Sequence, residues 1–176
     1  FDGVNWVTIF SPSQPFCFID LNWQTVSYDV SAYANPAFRV RFSFQIGTAG
    51  ALPSPSWTID NVKVVENQVD HLRFADDFSS GNSRGWTLGP AWQIGGAQPS
   101  PAWACGTNGD PTADADGVLS GGIAGVLIGG NTVGGTMQSE SSLVSPIIHL
   151  TPGIETVLTF DRSLKGDAPP MMNSRL

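Results

Sequence analysis

From residue 37 to residue 46 the chain alternates strictly, with Phe38, Val40, Phe42 and Phe44 on one side and Arg39, Arg41 and Ser43 on the other. A period of two places successive side chains on opposite faces of an extended strand, so one face is buried and the other is wet. No helical period persists over any ten residues. Further strands are expected at 4–10, 24–30, 57–66, 86–94, 137–144 and 156–164. Turn chemistry separates them at Ser11-Pro12, Asn35-Pro36, Ser80-Gly81-Asn82 and Pro152-Gly153. The composition agrees: 20 Gly and 13 Pro among 176 residues, with only 13% charged, suit short strands joined by turns. The expected class is all-β, an antiparallel sandwich or jelly roll.

The formal charge is −7, with 12 Asp against 3 Glu and only two Lys. Such a surface argues against nucleic acid, which calls for Lys and Arg to neutralise phosphates, and against an anionic membrane surface. No apolar run approaches the ~20 residues of a membrane span. Asp-rich loops suit a divalent cation such as calcium, or simply cap turns, and both readings are open. Residues 106–135 are Gly-rich, carry Asp110, Asp114 and Asp116, and are too long for an ordinary connector. On the strand at 57–66, Asp60 shares parity with Val62 and Val64, so it is expected to face the apolar side. A carboxylate there needs backbone donors, an arginine or a metal. Cys17 and Cys105 either close one long loop as a disulfide, worth about 4 kcal/mol in the chain-entropy model, or stay separate as buried thiols.

The catalytic inventory is thin. His71 and His149 are the only histidines, and no nucleophile, zinc or phosphate-loop signature accompanies them. A non-enzymatic role is expected. Of six Trp, five lie in or beside strand patterns, while Trp103 sits in the Pro-rich segment 98–104 and is expected at the surface. Exposed Trp can stack on sugars, so a carbohydrate-binding accessory module is the alternative function.

Two segments resemble one family. Trp57-Thr58-Ile59-Asp60-Asn61-Val62-Lys63-Val64 is similar to the closing W-x-I-D-D-V-x-V strand of MAM-like jelly-roll domains of secreted, often bacterial repeat, proteins. Asp76-Asp77-Phe78, Gly85-Trp86-Thr87, Asp110-Pro111-Thr112-Ala113-Asp114 and Leu143-Val144-Ser145-Pro146 resemble the opening of such a domain. The resemblance implies an extracellular location and a calcium site formed by Asp60, Asp77 (or Asp76), Asp110 and Asp114, with Asp116 as an alternate. It also implies a permuted order, because the closing half occupies residues 1–66 and the opening half 74–176, joined by a linker at 67–73.

Placed end to end, Asn173-Ser174-Arg175-Leu176 and Phe1-Asp2-Gly3-Val4-Asn5-Trp6 read as a strand, an Asp-Gly turn and a second strand. The expectation is a chain cut in mid-domain, with Phe1, Trp6, Arg175 and Leu176 at an assembly junction. It would serve as a structural subunit of a filament or surface array, completed head to tail by copies of itself; one repeat of a longer tandem chain and a circularly permuted monomer closed on its own halves are the other two readings. A weak internal echo at an offset of 118 residues matches Val26-Ser27…Phe42 to Val144-Ser145…Phe160.

Overall fold

The structure, a computed structural model, describes residues 1–12, 17–48, 50–55, 57–67, 71–103, 106, 109–132, 138–167 and 172–176. Eleven strands form where alternation or full burial demands them: β1 (Phe18–Ile19), β2 (Gln24–Asp29), β3 (Arg41–Ile46), β4 (Trp57–Glu66), β5 (His71–Asp76), β6 (Thr87–Leu88), β7 (Trp92–Gly96), β8 (Gly122–Val126), β9 (Ser141–Val144), β10 (Thr156–Gly166) and β11 (Met172–Arg175). A single 3₁₀ turn, Ser31–Tyr33, is the one helical element among the described residues. The expected all-β sandwich is the fold found.

Seven strands make one sheet in the order β1-β10-β4-β8-β7, with β2 also on β10 and β5 also on β4. Four make the other, β11-β3-β9-β6. All pairings between named strands are antiparallel. Aromatic rings fill the centre of the core: Phe42 meets Trp57 at 5.5 Å and Phe160 at 5.0 Å, both edge-on, and Trp57 lies 6.0 Å from Trp92. Edge contacts of this kind add to the large area these side chains bury.

Three sequence expectations need correction. Residues 4–10 form no strand. Asp2 Oδ1 accepts from the backbone N–H of Val4 and Asn5, and Gly3 sits at φ 96°, so the chain turns away and leaves Val4 79% exposed. The linker at 67–73 is shorter than read, because His71, Leu72 and Arg73 belong to β5 and pair back onto β4 through Glu66↔His71 and Val65↔Leu72. The Gly-rich stretch 106–135 contains β8, whose Ile123, Ala124, Gly125 and Val126 are all buried. A strand covered on both faces shows no alternation. A Cβ at Gly125 would stand 2.8 Å from Thr58 Cγ2, so only glycine lets the two strands approach.

The two chain halves interlock. β10 lies between β2 and β4, and β3 lies between β9 and β11. The 118-residue echo falls on this exchange: β2 and β3 from the first half match β9 and β10 from the second, and Phe42 and Phe160 touch at the centre.

Candidate functional site: a buried carboxylate under an acidic loop

Along β4 and β10, Lys63 pairs with Thr159 and Asp60 with Asp161, so β4 spends three steps where β10 spends two. The extra residue is a bulge, with Asn61 at φ 50°. It resets the parity of β4. Trp57 and Ile59 face the core before it, Val62 and Val64 after it. Asp60 therefore shares a face with Thr58 and points away from the apolar core, correcting the expectation drawn from its parity with Val62. Here too β4 changes neighbours, from β8 at Thr58 and Ile59 to β5 at Val62 onward.

Asp60 is nevertheless only 1% exposed, because residues 110–117 fold over it. Ala115 N–H donates to Oδ2 at 3.1 Å and Asn61 N–H to Oδ1 at 2.7 Å. Burial pushes the Asp60 carboxyl up to about 7. The two backbone donors oppose that rise, and the charges of Asp114 and Asp116 add to it. Asp161 faces Asp60 across the ladder. Asn61 donates Nδ2 to Asp161 Oδ2 at 3.0 Å and Asp116 Oδ1 at 3.4 Å, tying β10 and the acidic loop to the bulge. Thr25 Oγ1 donates to Asp161 Oδ1 at 2.5 Å.

The four acids expected to bind calcium do not form one set. Asp114 lies by Asp60 but accepts from Val118 N–H at 2.7 Å, closing its own loop together with Gly117 N–H on its carbonyl at 3.1 Å. Asp110, 5% exposed, donates its N–H to Ser100 Oγ at 2.8 Å, and its charge acts on Lys165. Asp77 caps the turn after β5, accepting from Ser79 N–H and Oγ–H. The buried acid of that pair is Asp76, which accepts from Phe78 N–H and Trp86 Nε1–H and lies 3.7 Å from Arg84. Among the described residues, no group of three or more acidic, histidine or cysteine side chains is placed to hold one ion.

Sequence reasoning missed Asp161. It follows Phe160 on an alternating strand and is thus legibly outward, but its neighbour across the sheet is fixed only by the long-range pairing with Asp60.

The junction residues do come together, within one chain. Phe1 ammonium donates to Arg39 O at 2.8 Å, and its ring lies 5.2 Å from Trp6, over which Arg41 sits at 4.5 Å. Leu176 pairs with Ile9 and Phe10 through bonds of 2.7 and 3.1 Å, and Arg175 pairs with Ser43 of β3. These segments wall a small cavity of about 40 Å³.

Cys17 is disulfide-bonded and no described cysteine is free; Cys105, the other cysteine of the sequence, lies outside the described residues. Trp103, expected at the surface, is 9% exposed. His71 is exposed on β5, and His149 Nδ1 lies 2.6 Å from Pro36 O at the surface. No helix among the described residues is long and apolar enough to cross a membrane. No family model, curated protein or solved structure matches the chain.

Proposed function

We propose that the chain is an extracellular, non-catalytic structural module of the MAM-like kind its motifs resemble. In this reading it is a repeating subunit of a filament or surface array built by head-to-tail completion of β-sandwiches. What supports it is the dependence of each half on the other, β10 between β2 and β4 and β3 between β9 and β11; this closure is within one chain, and its formation between copies is the proposal. Neither half keeps a closed core or paired edges without such a partner. The contacts that close one chain can form between copies once β5 separates from β4, and a heterologous exchange of this kind propagates as an open chain. The disulfide at Cys17 supports an oxidising compartment.

The test is light scattering and electron microscopy of the purified protein over a wide concentration range. Multiples of the 18.6 kDa chain that grow with concentration, ending in filaments, are expected. A single 18.6 kDa species throughout would overturn the proposal.

Calcium belongs to this reading only through the family resemblance, and its test is the melting temperature: added calcium should raise it and chelator reverse the gain, while identical melting in both would remove the ion.

A further inference from the structure

A second feature lies on the other side of the acidic loop. Between the segment leading into β2, the loop at 109–117 and the end of β10 is an open cleft of about 680 Å³, within the size range of ligand sites. Its walls include Asn22, Trp23, Asp110, Asp114, Ser163 and Lys165. They are held firmly. Trp23 is half-buried, and its Nε1–H donates to Ala113 O at 3.2 Å, tying the indole edge to the loop. A Cβ at Gly109 would lie 2.0 Å from Ser100 O, so the two strands of loop behind Asp110 are in direct backbone contact.

Lys165 is 4% exposed and donates Nζ to Ser163 Oγ at 2.7 Å. Burial lowers its pKa while the charges of Asp110 and Asp20 work against that fall. A buried lysine on the sandwich surface is expensive to keep, and an apolar residue would serve packing as well.

We propose that this cleft is a saccharide-binding site, in which Trp23 offers a ring face and the Lys165, Asp110, Asp114 and Asn22 groups engage hydroxyls. The chemistry selects a neutral polyol. Two carboxylates against one ammonium repel an anionic ligand, while acceptors and donors set side by side match hydroxyl groups, each of which both donates and accepts. The aromatic wall supplies the apolar contact that a pyranose face requires. This site is separate from the chain junction, and it shares Asp114 and the loop at 110–117 with the Asp60 corner.

The full chain would be titrated with cellohexaose, chitohexaose, laminarihexaose, mannohexaose and galactohexaose, following tryptophan fluorescence and amide chemical shifts. At least one should bind saturably below about 1 mM, with shifts at Asn22, Trp23 and residues 110–115. Trp23→Ala should weaken that binding tenfold or more, while Trp23→Phe, which keeps a ring, should retain most of it. Trp6→Ala, at the chain junction, should change nothing. The proposal is overturned if none of the five binds, if binding survives Trp23→Ala in a protein whose spectrum shows it folded, or if Trp6→Ala alone abolishes it.

Discussion

Strand β4 carries two buried acids six residues apart, and the protein treats them oppositely. Glu66, 2% exposed, lies 2.5 Å from the Arg73 guanidinium and accepts from Thr151 N–H. Although burial opposes it, Thr151 and Arg73 hold its carboxyl below the usual range. Asp60, 1% exposed but set deeper among protein atoms, has backbone donors and no described cation beside it; burial first, and then the charges of Asp114 and Asp116, raise its carboxyl to about 7. Low surface exposure alone therefore does not set the charge state. One acid is finished by the fold of its own chain, while the other keeps acids as neighbours and holds its proton up to about pH 7.

Breaking the finished site should have the largest effect. Glu66→Ala leaves Arg73 and Thr151 N–H without their acceptor, and a loss of about 3 kcal/mol is expected in urea unfolding. A loss under about 1 kcal/mol would show that the pair behaves as an ordinary surface bridge.

A pH profile should separate the two acids next. Asp60 has a folded pKa above its unfolded value near 3.8. Its contribution is fully present below pH 4, is lost as pH rises toward 7, and is flat beyond. Stability should fall by on the order of 2 kcal/mol between pH 4 and pH 8, after allowance for solvent at the loop's edge. Glu66, whose folded pKa is depressed, works the other way: its contribution is present above the unfolded pKa and fades only as pH falls through the folded one. Stability that rises steadily from pH 4 to pH 8 would contradict this assignment of Asp60.

The smallest effect should come from Asp116→Asn, which keeps an oxygen for Asn61 Nδ2 and removes one charge. A gain of about 0.5 kcal/mol is expected at pH 8 and less at pH 5. A loss at both would mean that Asp116 supports the corner rather than crowding it.

Much of the scaffold was legible. The strands expected at 24–30, 37–46, 57–66 and 156–164 are found as β2, β3, β4 and β10, to within a few residues at their ends. β8 was not, since a strand buried on both sides has no alternation and its glycines read as loop. Nor was the short β5, whose exposed His71, Leu72 and Arg73 are ordered by pairing with β4 rather than by a face of their own. At the site, Asp60 was singled out by its place on a strand, and Asp114, with Asp116 as an alternate, by the family resemblance. Their geometry hinges on a one-residue bulge at Asn61, which reverses the face of everything before it. Periodicity read through an unrecognised bulge gives the wrong side, as it did for Asp60.

The central claim is that β4 of one copy can complete the sheet around β10 of another. Lys63 and Thr159 face each other across these strands, so Lys63→Cys with Thr159→Cys places two thiols at cross-strand distance. Oxidised at high protein concentration and run without reductant, this variant should give a ladder of linked chains in steps of 18.6 kDa, beside a single-chain band from closed copies. A single-chain band alone, at every concentration tried and with the new thiols fully consumed, would contradict completion between copies.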